Sequence, residues 1–175
     1  MGKYTAWDDP LADRIVEDHM RRIAEAIRTR LEPQAISLRG SFGRGEGSVA
    51  LENGRARFLS DYDINVVTNS SRHRALLDRL SRELTRELEV ETNLFWKPPD
   101  HLQAHRGDLA RYDARYTSQA LYGRETPPPG PPWEASEIPF HGTLVMVLHR
   151  MAESLCHVPA SSNNDFLRLH WGEPT

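Results

Sequence analysis

Cysteine is almost missing from this chain of 175 residues: Cys156 is the only one, which excludes an internal disulfide and leaves no cysteine cluster for zinc. Lysine is nearly as scarce. Lys3 and Lys97 are the only two among 22 Lys and Arg residues, so any phosphate contacts would be of the planar, bidentate arginine kind. No apolar run is long enough to span a bilayer, and the N-terminal residues have no apolar stretch resembling a secretory signal, so the expectation is a cytoplasmic protein with no membrane partner. No internal repeat is visible. A formal charge of −3 argues against a general nucleic-acid binder. What is present is globular: 38% hydrophobic and 27% charged residues, in a length that suits one domain with a core and a short appendage.

Along the chain, Asp8 or Asp9 followed by Pro10 marks a helix start, and Leu11, Ile15, Ile23, Ile27 and Leu31 recur at helical spacing until Pro33. A short strand is expected at 35–40, then a loop or short helix at 41–47 weakened by Gly43, Gly45 and Gly47. Asn53-Gly54 between two apolar runs predicts a tight hairpin, with a second strand at about 57–67. Asn69-Ser70-Ser71 offers caps for a helix in which Leu76, Leu77, Leu80, Leu84 and Leu88 share a face. A third strand is read at about 88–96, and a further helix at 108–119. The proline-rich stretch 126–132 reads as an extended linker, and Leu144, Leu148, Met151 and Leu155 form a helical stripe beyond it. The expected class is α+β: a small mixed sheet with helices packed on it in a domain spanning 1–125, a linker at 126–133 and a helical C-terminal extension at 134–175.

The segment ISLRGSFGRGEGSVALENGRARFLSDYDINVV, residues 36–67, carries the chemistry. Gly40-Ser41 follows an apolar run, and a turn without bulk lets backbone N–H groups approach phosphate oxygens. Downstream, Asp61 and Asp63 stand two apart in a strand-like run, which places both carboxylates on one face. Two adjacent anions call for a cation, and hard oxygen ligands beside a phosphate favour magnesium. Arg39 and Arg44 are placed to add positive charge near a triphosphate, although a solvated role suits their long side chains equally.

Leu38-Arg39-Gly40-Ser41 followed by Ser60-Asp61-Tyr62-Asp63-Ile64 resembles the Gly-Ser…Asp-X-Asp signature of the polymerase-β-like nucleotidyltransferase superfamily, and the variant here looks most like its stand-alone prokaryotic members. The resemblance implies a small mixed sheet, two magnesium ions and transfer of a nucleoside monophosphate from an NTP to a hydroxyl, with release of pyrophosphate. Gly40 and Ser41, aided by Arg44, would hold phosphate, and Asp61 and Asp63 would bind metal. A third acid on the next strand would join them as metal ligand and helper of the incoming hydroxyl; Glu91 is preferred to Glu89, both lying on one face of that strand by alternation. The sequence departs from the family in a longer gap between Ser41 and Asp61 and in Glu rather than Asp as third acid. The acceptor is expected to be a small molecule or a protein, RNA less so, and the C-terminal helix is a candidate surface for a second copy or a partner protein. A contrasting reading is a module of the same fold that has lost turnover and serves as a binding or antitoxin-like partner.

Plainer explanations cover the remaining features. The glycines at 40, 43, 45 and 47 lack dinucleotide-fingerprint spacing, and Glu46 occupies what would be the lysine position of a P-loop. His149, Cys156 and His157 are read as packing residues, and Asp113 as a surface carboxylate.

Overall fold

The computed structural model describes residues 2–7, 9–52, 55–101, 112, 117–123, 134–141, 143–145, 147–148 and 151. The chain divides into two compact units, 1–104 with 110–131, and 105–109 with 132–175. The first is an α+β fold built on a small mixed sheet.

Helix α1 (Pro10–Arg30) begins where the sequence says it should. Asp9 is its N-cap and accepts from the Leu11 and Ala12 amides, with Pro10 in the first turn, where its missing N–H costs nothing. The buried stripe is Ala12, Val16, His19, Met20, Ile23, Ala24 and Ile27. Leu11 is exposed, so the face is rotated from the one expected: Val16 and Met20 do the packing that the Leu11-Ile15 line suggested. Strand β1 (Ala35–Arg39) runs into a single turn of helix, α2 (Gly40–Gly43). Strands β2 (Val49–Glu52) and β3 (Arg55–Phe58) form a separate antiparallel ribbon, with Glu52 opposite Arg55, which requires the two-residue connection expected at Asn53-Gly54; those two residues lie outside the described set.

The strand expected at 57–67 is two elements. β3 ends at Phe58 and β4 (Tyr62–Val67) starts four residues later, because the chain leaves the ribbon and enters the main sheet between them. Ser70 then caps a 3₁₀ turn, Ser71–His73, leading into α3 (Arg74–Leu88), which buries Leu77, Leu80, Leu84 and Leu88. The third strand is also displaced from its expected position. Leu88 closes the helix, Glu89 takes a left-handed conformation (φ 56°), and β5 covers Thr92–Lys97 rather than 88–96. A strand not foreseen, β6 (Gln119–Gly123), completes the sheet; most of the helix expected at 108–119 and the linker at 126–133 lie outside the described residues.

Sheet order is β5-β4-β1-β6, with β1 antiparallel to both neighbours and β4 parallel to β5. The core lies on one face: Ile36, Leu38, Tyr62, Ile64, Val66 and Leu94 pack with the apolar stripes of α1 and α3. In the second unit, Phe140, Leu144, Val145, Val147, Leu148 and Met151 are helical and exposed, while Leu155 lies outside the described residues. Among the described residues no helix is long and apolar enough to cross a membrane.

Candidate active site

Register decides which side chains share a face. Leu38, Ile64 and Leu94 stand abreast on β1, β4 and β5 and are buried in the core. Their neighbours one step along, Arg39, Asp63 and Asn93, are likewise abreast and therefore project from the opposite face. The next polar row contains Ser37 and Asn65, both buried. Apolar side chains thus hold the sheet to its helices from one side, and the polar side chains Ser37, Arg39, Asp63, Asn65 and Asn93 stand on the other.

Asp61 sits immediately before β4 and Asp63 is its second residue. Between them Tyr62 is wholly buried on the core side, where its hydroxyl shares a 3.0 Å hydrogen bond with His19 Nδ1 of α1. Its ring meets Phe42 and Phe58 edge-on at centroid separations of 4.8 and 5.8 Å. Burial pushes the Tyr62 hydroxyl well above its ordinary value of 10.0. Burial, and then the nearby Arg22 charge, hold His19 below its ordinary 6.5. Both groups are neutral at pH 7, so the aspartates are anchored from beneath by an uncharged aromatic cluster.

The Gly-Ser turn is set against Asp63. Gly40 has φ +64°, in the left-handed region, and a Cβ built on it would lie 2.6 Å from Asp63 Oδ2. The carbonyls of Gly40, Ser41 and Phe42 accept from the amides of Arg44, Glu46 and Gly45, closing the turn on itself. From β6, the Gln119 side-chain amide donates to the carbonyls of Gly43 (3.1 Å), Phe42 (3.4 Å) and Lys3 (3.0 Å), tying the turn to both the edge strand and the N-terminal segment.

The structure sets Gly40 against Asp63, while Asp61, two residues before Asp63, is held by Asn93. Ser41 is half-buried in the same turn. Arg44 is at the turn's end, with Nε 2.7 Å from Glu46 Oε2. Arg39, by contrast, is buried; with the Asn65 amide turned so that its oxygen faces the guanidinium, that oxygen accepts from Nε and Nη2 at 3.1 Å each. Glu91 is exposed and just ahead of β5; its backbone carbonyl, not its carboxylate, joins the sheet by accepting from the Tyr62 amide at 2.8 Å. Glu89, at the helix cap, is off the strand altogether, so the alternation argument that put it beside Glu91 does not apply. Among the described residues no three His, Cys, Asp or Glu side chains gather to hold a metal, so Glu91 is not collected with Asp61 and Asp63 into a three-acid cluster. The residue abreast of Asp63 is Asn93, whose Nδ2 donates to Asp61 Oδ2 at 2.9 Å.

A magnesium ion suits this set chemically. The available donors are hard oxygens from Asp61, Asp63 and the Asn93 amide, and the side chain that would crowd Asp63 Oδ2 is missing at Gly40. Sequence reasoning missed Asn93, Asn65 and Gln119. Asn93 and Asn65 had a readable signal, since each interrupts an apolar strand with an amide on the parity of the aspartates. Gln119 had none, because its partners are 76 residues or more away.

No protein-family model and no curated protein matches the chain. Solved structures similar to it include that of a tri-AMPylated Shewanella oneidensis HEPN toxin in complex with MNT antitoxin, at 16% identity over 80% of this chain and 92% of that one, TM-score 0.41. Another is a toxin–antitoxin with AMP-PNP, at 18% identity over 78% and 93%, TM-score 0.42. A third is a mutant of the toxin–antitoxin MntA-HpeT, at 17% identity over 78% and 93%, TM-score 0.42. Likenesses at this TM-score leave the reading of the site to the chain's own residues.

Proposed function

We propose that this chain is a magnesium-dependent nucleotidyltransferase, moving a nucleoside monophosphate from an NTP to a hydroxyl on a small molecule or protein. The observation that carries the reading is the contact of the positive-φ Gly40 with Asp63, on the polar face where Asn93 also holds Asp61. Gly40 and Ser41 take the β- and γ-phosphates, with Arg44 at the end of the turn adding charge. Asp61 and Asp63 hold the metal, which when bound neutralises charge on the triphosphate during in-line displacement. The acceptor oxygen forms a bond to the α-phosphorus as the bond from that phosphorus to the bridging oxygen breaks, and pyrophosphate leaves with the electron pair. Glu91, exposed just ahead of β5, is assigned to the acceptor side, where its carboxylate takes the hydroxyl proton.

The test is incubation with each labelled NTP, magnesium and cell extract, followed by identification of what becomes labelled. Asp61→Asn and Asp63→Asn keep shape but remove ligand charge, and each is expected to reduce labelling by more than about a hundredfold, the upper end for loss of an outer-shell partner. Full labelling by both variants would sink the two-aspartate assignment. Glu91→Gln is expected to slow transfer while leaving NTP binding within about twofold, because its role concerns only the attacking group.

One observation favours a second reading, a non-catalytic binding module of the same fold: the residue beside the aspartates is an amide and not an acid. Saturable NTP binding by wild type with no label transferred in any extract would select it.

A further inference from the structure

One carboxylate on α1 takes no part in the chemistry above. Asp13, in the first turn of that helix, accepts from three consecutive backbone amides, those of Lys3 at 2.5 Å, Tyr4 at 3.1 Å and Thr5 at 3.1 Å. Thr5 Oγ1 lies 2.9 Å from the same Oδ1 that serves Tyr4 and Thr5. Hydrogen bonds to an ionised acceptor are roughly twice as strong as neutral ones. Tyr4 and Thr5 are buried, and the Gly2 amide donates to Thr5 O at 3.1 Å. A Cβ on Gly2 would lie 2.6 Å from Asp13 Oδ2, so the segment is folded tightly around this carboxylate. The Lys3–Glu17 ion pair, with both side chains more than half exposed, adds little by comparison.

What the carboxylate holds in place is a partner of the Gly-Ser turn. Thr5 bridges Gly47 in parallel register; the Gly47 amide donates to Tyr4 O and the Ala6 amide to Gly47 O, at 3.0 Å each. Gly47 lies so close to the Phe42 ring that a Cβ on it would fall 2.1 Å from Cδ1. Phe42 is the buried ring of α2, and it meets Tyr62, the residue between the two aspartates. Two steps therefore link Asp13 to the turn, from carboxylate to backbone and from that backbone to Gly47.

We propose that Asp13 is a positioning residue for nucleotide binding: by gathering the amides of residues 3–5 it fixes the segment that pairs with Gly47, and through Gly47 the shape of the phosphate-holding turn. This rests on the reading of Gly40-Ser41 as the turn that takes the triphosphate. Loss of the Asp13 carboxylate then loosens the turn without touching a group that contacts nucleotide or metal.

The experiment reads nucleotide binding, so it needs no acceptor or turnover. Labelled ATP, GTP, CTP and UTP, each with magnesium, are titrated by equilibrium dialysis into wild type, Asp13→Ala, Asp13→Asn and Leu84→Ala, and amide hydrogen exchange is followed over residues 41–47. Asp13→Ala is expected to weaken NTP binding about tenfold, the size of one lost hydrogen bond to a charged group, with faster exchange at 41–47. Asp13→Asn keeps an oxygen for the Tyr4 and Thr5 amides and is expected to restore affinity to within about threefold of wild type. Leu84→Ala opens a cavity in the α3 core and serves as the control for lost stability. It is expected to lower the melting temperature while NTP affinity stays within about twofold of wild type, as for an independent site. Unchanged affinity in Asp13→Ala overturns the proposal, as does an equal loss in Leu84→Ala, which would make the carboxylate's role one of stability alone. Weaker binding with exchange at 41–47 unaltered also overturns it, because the effect would not pass through the turn. If Asp13→Ala proves unfolded, Ala6→Pro decides, since it removes the N–H that reaches Gly47 O and leaves Asp13 intact. About fivefold weaker NTP binding is then expected, and unchanged affinity overturns the proposal. Failure of the underlying reading shows earlier: wild type that binds none of the four NTPs saturably would remove that reading, and this proposal with it, before any variant is compared.

Discussion

Gly40 is the residue at which backbone conformation and chemistry coincide. Any other L-residue there would adopt φ +64° at a cost of roughly 1–2 kcal/mol and would also push its Cβ to 2.6 Å from Asp63 Oδ2. Gly40→Ala is therefore expected to weaken NTP binding and transfer far more than it lowers the melting temperature, since the displaced atoms belong to the site and not to the core. Equal losses of stability and activity would argue that the turn is only structural. Glu89 is the opposite case, a side chain in left-handed backbone at a helix end, off the strand. Glu89→Gly is expected to raise stability by about 1 kcal/mol in urea unfolding, with transfer unchanged; loss of transfer would restore Glu89 as an acid of the site. His19 brings a pH dependence. Its folded-state pKa lies below the ordinary 6.5 because it is buried, so the unfolded chain binds the extra proton first as pH falls. Stability attributable to this group is complete above 6.5 and is lost as pH drops toward and through the lower folded value. Thermal unfolding from pH 8 to pH 5 should show an acid limb that is shallower in His19→Gln.

At the scale of elements, what the sequence makes legible is whatever depends on neighbours a few residues apart. The Asp9-Pro10 start of α1 and the leucine stripe of α3 come directly from capping and helical period. The Gly-Ser turn and the Asp-X-Asp run are legible in the same way, because each is a local pattern. The breaks in the strands are not. Residues 57–67 read as one β segment, yet Phe58 ends a ribbon and Tyr62 begins a sheet, a distinction made by pairing partners and not by propensity. Likewise Leu88 satisfies a helical stripe and a strand start equally, and only the run to Glu89 in left-handed backbone resolves it. That error of boundary is what made Glu91 look like a strand acid and hid Asn93. Between elements, Gln119 is the clamp of the Gly-Ser turn. Gln119→Ala leaves carbonyls of Phe42 and Gly43 without this donor and is expected to cost about 1 kcal/mol of stability while raising the KM for NTP more than it lowers kcat, as steady-state kinetics would show.

For the whole molecule, the described residues of the second unit present Phe140, Leu144, Val145, Val147, Leu148 and Met151 to solvent. So many large apolar side chains among the described residues between 140 and 151 exceed the scattered exposure normal for a surface. Truncation after Arg124 is expected to change the association state or the solubility measured by sedimentation, and to impair acceptor use more than NTP binding. A truncated protein with unchanged sedimentation and transfer rate would make that region dispensable.

The clamp at Gln119 also bears on the order in which the chain matures. During synthesis from the N-terminus, both the Gly-Ser turn and the aspartates leave the ribosome while Gln119 is still unmade, and β1 lacks one of its two sheet neighbours until β6 arrives. Contacts spanning 76 to 116 residues are formed late because closing long loops is entropically costly. A growing chain would therefore carry the ingredients of the proposed nucleotide site well before it acquires the grip that shapes them, and the proposed competence to hold nucleotide would switch on only once the sheet's last edge is in place.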